Sequence, residues 1–351
     1  MKTRIIKRML SIITLGFFTV SCEIDEVEVV DTYLNVSDST YLEIQDESIG
    51  PPDQVFQLED GTVVLRSFTT VMVKRNNGKE IIDTRSSRGA ILGVLKNNFV
   101  TEDGAICNSK FEVVDNLGSY YDDVSIGEDI IAFKSNSSGQ EQLLVWSETN
   151  GVKTYQVPNS GNGDTIVNLL NPVILRGTVF IIMCRHDRLI TNKQSYHLLR
   201  LDRNLKLLSS RELPLRGTNG VQLNYQRALY GNTRGSEIYL RSDSLYTLNE
   251  DGEIINNQPA ATPVCGVIMS NDRALSKDEA GGTEPRTLKI REDLRCSSAV
   301  LWNYTLPESY LYMSAFNEGI NGSVLITATK RETVNGFSKD KQLVYTIDPD
   351  Y

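Results

Sequence analysis

The sequence predicts an all-β fold built from small repeated sheets, and three observations lead there. Long helical periodicity is nearly absent. Short apolar or alternating runs recur instead, separated by Asn-Gly, Asp-Gly and similar turns. A hairpin of similar design returns along the chain at intervals averaging about 45 residues.

The first hairpin is VMVKRNNGKEIID, with Asn77-Gly78 at its turn. A second unit fits residues 89–127, as GAILGVLKNNF followed by TEDGAICNSKFEVVDNLG. LLVWSETNGVKTYQV then turns at Asn150-Gly151. Asn-Gly between alternating runs favours a type I′ turn, whose two central residues need positive φ. HLLRLDRNLKLLSSREL turns near Arg203-Asn204, SLYTLNEDGEIIN at Asp251-Gly252, and TLKIREDLRCSSAVLW near Glu292-Asp293. QLVYTIDPDY ends the series with Asp348-Pro349 at the turn. The apolar runs DGTVVLRS (60–67), GEDIIAFKS (127–135), GTVFIIMCR (177–185), GSEIYLRS (235–242) and GSVLITATK (322–330) precede hairpins and fit inner strands. Repeats of this length with several strands each mark the blades of a β-propeller. Seven blades are favoured, and six are allowed if the long first interval holds one irregular unit. A two-domain β-sandwich is the structural alternative. Repetition also explains how so long a chain stays folded without thickening one core.

The last hairpin reaches its turn and stops at Tyr351 with no returning strand. The stretch from Val27 to Ile44 alternates apolar and polar residues and fits the missing partner. A strand from the N-terminus would close the ring and cover an open edge. This pairing of the termini over residues 27–351 resembles the ring closure of β-propellers. The pattern also looks like the propeller-type surface lipoproteins of gut-dwelling Gram-negative bacteria.

The N-terminus points the same way. Lys2, Arg4, Lys7 and Arg8 precede an apolar run from Met9 to Val20, and no acidic residue occurs before Glu23. That is the plan of a secretory signal, and the run is too short to cross a bilayer core of about 30 Å. Ser21-Cys22 resembles the lipobox of bacterial lipoproteins, with Thr19 where that family usually has Leu. The resemblance implies cleavage before Cys22 and several acyl chains, palmitate among them, on that cysteine; one chain alone anchors weakly. Glu23, Asp25, Glu26 and Glu28 follow. They resemble the acidic export signal of some Gram-negative surface lipoproteins, and Glu23 beside Cys22 fits passage to the outer membrane. The expected organisation is a signal peptide over 1–21, an acidic tether and closing strand over 22–46, and a propeller over 47–351.

Composition narrows the function. The chain carries a net charge of −9, and loss of residues 1–21, with four positive charges and no negative ones, takes it to −13. No basic stripe with aromatics offsets this, so nucleic acid is not an expected partner. Beyond Cys22 there remain Cys107, Cys184, Cys265 and Cys296, which allow three pairings or buried free thiols. No cysteine pair has metal-ligand spacing and the chain has two histidines, so no metal or cofactor is expected. Phosphate-binding glycine loops, G-x-S-x-G and H-E-x-x-H are absent from the sequence.

Two places invite a chemical reading. Met183-Cys184-Arg185-His186-Asp187 brings a thiol, an imidazole and a carboxylate together, but alternation along a strand puts Cys184 and His186 on one face and Asp187 on the other. Tyr120, Tyr121, Asp122 and Asp123 form the densest aromatic-acidic cluster, a combination suited to sugars. Asp and Glu at turns 101–104 and 249–252 lack the rest of a calcium loop and read as hairpin turns. Trp146 and Trp302 are expected to pack between blades. The expected function is therefore a lipid-anchored, outer-membrane binding or scaffolding protein with a glycan or envelope-protein ligand. A glycan-active lyase or hydrolase on the same scaffold is the alternative.

Overall fold

The computed structural model describes residues 41–44, 50–67, 70–74, 81–82, 89–117, 124–127, 129–137, 140–157, 165–187, 193–214, 229–232, 234–241, 244–259, 265–277 and 286–349. The first strand, β1 (Tyr41–Ile44), is followed by sheet I: β2 (Gln54–Gln57), β3 (Val63–Ser67), β4 (Thr70–Lys74) and β5 (Ile81–Ile82). Sheet II holds β6 (Ile91–Leu95), β7 (Asn98–Thr101), β8 (Ala105–Asn108) and β9 (Val113–Asn116). Sheet III holds β10 (Val124–Ile126), β11 (Ile130–Ser137), β12 (Gln140–Ser147) and β13 (Gly151–Gln156). Sheet IV has five strands: β14 (Thr165–Leu169), β15 (Val173–Leu175), β16 (Thr178–Asp187), β17 (Lys193–Leu201) and β18 (Leu207–Glu212). Sheet V holds β19 (Leu229–Gly231), β20 (Ile238–Arg241), β21 (Ser244–Leu248) and β22 (Ile254–Pro259). Sheet VI holds β23 (Val267–Ile268), β24 (Ala274–Lys277), β25 (Thr287–Arg291) and β26 (Val300–Thr305). Sheet VII holds β27 (Tyr310–Glu318), β28 (Val324–Val334) and β29 (Phe337–Ile347), with β1 as its outermost strand.

Each sheet is an antiparallel meander, and consecutive sheets pack face to face as a β-propeller. One hydrophobic cluster lies between each pair of neighbours. Phe99 and Cys107 of sheet II pack on Val64 of sheet I. Leu95 and Ile106 pack on Phe133 and Trp146 of sheet III. Further clusters join sheets III and IV, IV and V, V and VI, and VI and VII. The remaining cluster sets Val55 and Leu65 of sheet I against Leu325 and Val344 of sheet VII, so the ring closes on itself.

The second strand of each sheet has neighbours on both edges and both faces, which is why in most sheets it holds an apolar run. The runs expected to be inner strands all fall there, in β3, β11, β16, β20 and β28. The outermost strands β9 and β18 are exposed along their length. Closure by the N-terminus is observed in the last four residues of the expected stretch, where β1 pairs antiparallel with β29, from Tyr41 opposite Tyr345 to Ile44 opposite Gln342; residues 27–40 lie outside the described residues.

Two local expectations are corrected. The turn after β12 is not type I′. Gly151 has φ 61°, but Asn150 is not among the positive-φ residues; its N–H bonds the Ser147 carbonyl at 3.2 Å instead. The hydroxyl of Ser147 also accepts from that N–H, which favours the longer turn. The last hairpin turns at Asn335-Gly336, with φ 53° and 82°, not at Asp348-Pro349. There the two positive φ values do fit a two-residue primed turn. Asn77-Gly78 lies outside the described residues.

Sheets II, IV and V share one outer turn. The Asn108 side chain accepts from the N–H groups of Lys110 and Glu112, Asp202 from Asn204 and Lys206, and Asn249 from Asp251 and Glu253. The residue three places on takes positive φ: Phe111 at 66°, Leu205 at 63° and Gly252 at 76°. An Asx side chain thus replaces the Asn-Gly dipeptide as the turn former.

Candidate functional site

The centre of the ring is built by the first strand of each sheet. β2 lies beside β27 and β6, β6 beside β10, β10 beside β15, and β15 beside β19. Such a strand bonds its second strand along one edge, and among the described residues its other edge joins no ladder. Backbone groups stranded there need partners. Side chains supply them.

The Gln54 amide takes the Ile91 N–H at 2.9 Å and donates to the Ile91 carbonyl at 3.1 Å. The Asn171 amide, between β14 and β15, does the same for Leu229, at 3.1 and 2.7 Å. Ser125 accepts from the Ile174 N–H, and Glu141 from the Leu169 N–H while Lys134 donates to the Leu169 carbonyl. Asn232 donates to the Ile268 carbonyl, and Asn317 to the Val55 carbonyl. Each of these contacts joins two neighbouring sheets.

At one mouth of the ring the polar side chains converge. The Glu318 carboxylate, at the end of β27, accepts from the N–H and hydroxyl of Ser270 and from the Asn232 amide. Arg234 lies 3.9 Å from Glu59, and both are about half exposed. That ion pair joins sheets V and I, which are not neighbours in the ring. Exposed pairs of this kind contribute about 0–1 kcal/mol, so its interest is positional.

The described His186 sits on β16, opposite Ile166 of β14 and Gln194 of β17, and is half buried. Cys184 is buried in the cluster between sheets IV and V. Burial pushes its thiol pKa up, against the opposing effect of a hydrogen bond with Tyr196. A thiol held protonated in apolar surroundings is a core residue and a poor nucleophile. Tyr120, Tyr121, Asp122 and Asp123 lie outside the described residues, in the connection from β9 to β10. Trp146 is buried between sheets II and III, with its indole N–H on Asp115 at 2.7 Å. Trp302 stacks on Tyr304 between sheets VI and VII, ring centroids 6.1 Å apart. Among the described residues no group of three or more His, Cys, Asp or Glu is placed to hold a metal ion.

Charged side chains surround the junction of sheets V and VI. Burial, then the neighbouring Glu237 carboxylate that accepts its hydroxyl at 2.9 Å, pushes the Tyr239 phenol far above its usual range. Burial alone would raise Asp293, but the Arg295 guanidinium forked onto it holds it below the usual carboxylate value. The Tyr304 phenol is pushed up to about 12, chiefly by burial. These raised phenol values have a stability consequence. The unfolded chain ionises its tyrosines near 10, before Tyr239 and Tyr304 do in the fold. The stabilisation is thus whole below pH 10 and fades as pH climbs toward 12. Tyrosinate absorbance and far-ultraviolet dichroism should change together in that window. Full titration of all tyrosines near pH 10 with the sheets intact would contradict it.

No protein-family model matches the sequence, and no curated protein matches it. Solved structures similar in fold include a chain of the mitotic checkpoint complex, at 11% identity and TM-score 0.47, covering 91% of this chain and 99% of that one. The extracellular domain of a putative one-component system from B. thetaiotaomicron is similar at 10% identity and TM-score 0.43, over 87% of this chain and 40% of that one. The WD40 domain of coronin from Toxoplasma gondii is similar at 11% identity and TM-score 0.39, over 85% of this chain and 70% of that one.

Proposed function

We propose that the chain is an extracytoplasmic lipoprotein of the outer membrane, acylated at Cys22, whose propeller binds or scaffolds a glycan or envelope protein without catalysing a reaction. The observation that carries the compartment is the disulfide between Cys265 and Cys296. Such bonds persist in oxidising compartments and are rare in the cytosol. This agrees with the basic, then apolar leader that ends at Ser21-Cys22.

The binding reading rests on how the polar groups at the ring's centre are used. Gln54, Asn171, Asn232 and Glu318 hold neighbouring strands, so recruiting them for chemistry would cost the ring its ties. The ligand then meets the connections between sheets, which run from four residues at 306–309 to sixteen at 213–228. Connecting segments that vary on a fixed scaffold are where binding residues concentrate. Tyr120, Tyr121, Asp122 and Asp123 belong to one of them and suit a sugar's hydroxyls and apolar face.

The anchor is tested by labelling cells with a palmitate analogue. Label should be incorporated by the natural chain and vanish in Cys22→Ala; persistent label would end the lipoprotein reading. The ligand is tested with protein starting at Glu23 on a glycan array. Binding lost in Asp122→Asn with Asp123→Asn supports the sugar, whereas turnover of a glycan would favour an enzyme.

A further inference from the structure

Sheet VII closes the ring, because its outermost strand, β1, comes from the opposite end of the chain. Two of its tyrosines touch. The Tyr310 and Tyr345 rings meet edge to face, with centroids 5.6 Å apart and planes at 71°. That is a favoured arrangement for aromatic pairs, and here it also brings the phenol oxygens into a hydrogen bond. Register explains the meeting. Tyr310 of β27 lies opposite Lys330 of β28, and Tyr345 of β29 lies opposite Ile326. Midway between those two, on the same face of β28, stands Ala328. A side chain of one methyl group leaves room for two long rings to reach toward each other from the flanking strands.

The two phenols differ in access. Tyr345 is 2% exposed, whereas Tyr310 is only partly buried, so Tyr310 is the phenol that an oxidant in solution meets first. The Lys330 ammonium lies 5.9 Å from the centre of the Tyr310 ring, where it opposes any positive charge on that ring. The electron therefore leaves together with the phenol proton, and a neutral radical remains. The hydrogen bond gives that radical a route inward, since its oxygen can take the hydrogen atom from Tyr345. Tyr304 belongs to the same cluster, but its ring stacks on Trp302 and not on a second phenol.

We propose that Tyr310 and Tyr345 are a modification site, joined as dityrosine when the protein meets a one-electron oxidant. The first oxidising equivalent takes an electron and a proton from Tyr310, and the hydrogen atom of Tyr345 then passes to it. The second equivalent oxidises Tyr310 again, so that both phenols are radicals. The bond forms between ring carbons ortho to the two oxygens, and the hydrogens displaced from those carbons move to the oxygens. The oxidant thus gains two electrons, two protons go to solvent, and both phenols are restored. The bond ties β27 to β29 across β28, and so fixes the strand on which β1 docks. A cross-link of this kind acts by restricting the unfolded chain. It needs neither the Cys22 anchor nor a bound ligand.

The test exposes the purified chain to light with a ruthenium tris-bipyridine complex and persulfate, a source of one-electron oxidant. Dityrosine fluorescence should appear in single chains on a denaturing gel, and mass spectrometry should find the peptides of Tyr310 and Tyr345 joined with the loss of two hydrogens. The oxidised protein should then unfold at higher urea than the natural one. Tyr310→Phe keeps the ring and removes the phenol, so the linked peptides should vanish while far-ultraviolet dichroism stays that of the natural chain. Oxidation in urea gives a check that needs no variant, because separated rings should not yield the linked peptides. Absence of dityrosine from the oxidised, folded chain would overturn the proposal. So would a dityrosine yield undiminished in Tyr310→Phe, or linkage found only between copies of the chain.

Discussion

Replacing Cys265 and Cys296 together by alanine will lower the unfolding free energy by about 3–4 kcal/mol, the amount expected for cross-linking a loop of this size. The bond spans 31 residues and closes most of sheet VI on itself. Its importance comes from what surrounds it. β23 has two residues and pairs only with Leu275 and Ala274, so the ladder holds the innermost strand of this sheet weakly. The Cys265 N–H also bonds the Leu294 carbonyl at 2.9 Å, and Leu294 is buried with Tyr239 and Ile268 between sheets V and VI. Opening the disulfide loosens the loop that fills that junction. Urea unfolding should show the midpoint falling, and a reductant should move the natural protein to the same midpoint while leaving the variant where it is. Cys107 and Cys184 are buried and unbridged, so alkylation of the folded protein should be slow at both. An unchanged midpoint in the double variant would remove the disulfide from any account of stability.

The fold was readable because its strongest signals are repeated. A strand enclosed on every side must be apolar throughout, and five such runs mark the second strands from β3 to β28. The closing strand was readable as an unassigned alternating segment, although what the chain's last strand lacked was a neighbour on its outer edge and not a returning strand, since β29 itself returns on β28. Turn chemistry was less so. Asn150-Gly151 carries the dipeptide of a primed turn, yet the Ser147 hydroxyl offered the backbone a competing bond. Asn335-Gly336, with the same dipeptide, does form the tight turn, which makes the strand after it the returning half of a hairpin and not, as its sequence suggests, the first half of one turning at Asp348-Pro349. The disulfide could not be chosen, since three pairings are equivalent until the fold brings two cysteines together. The central side chains were missed for a related reason. Gln54, Asn171 and Asn232 look like ordinary polar residues at strand ends, and only the closeness of the neighbouring sheet gives them a backbone to bond. Aligning the seven units on their second strands would have shown amides near the ends of several first strands, the one signal available.

Those amides make the second large prediction. Asn171→Leu should cost about 2–5 kcal/mol, because it orphans both the N–H and the carbonyl of Leu229 at a site water does not reach. Asn171 is 8% exposed and Leu229 2%. The side chain is of similar size, so the loss is one of hydrogen bonding and not of packing. Gln54→Leu makes the same deletion, and Ile91 is as buried as Leu229, at 2% exposed; but Gln54 is itself only partly buried, so water can enter beside the replaced side chain and the cost should be about 1 kcal/mol. The contrast between the two separates the clamp from simple packing, since both variants add apolar surface and differ chiefly in access to water. Junctions I–II and IV–V share no partner, so the double variant should show the sum of the two effects to within about 0.5 kcal/mol. Hydrogen exchange gives the local readout: the Leu229 amide should exchange much faster in Asn171→Leu, while the Ile91 amide stays protected. Equal, small costs at both sites would mean that hydrophobic contact between sheets, and not the ring of polar ties, holds the first strands in place.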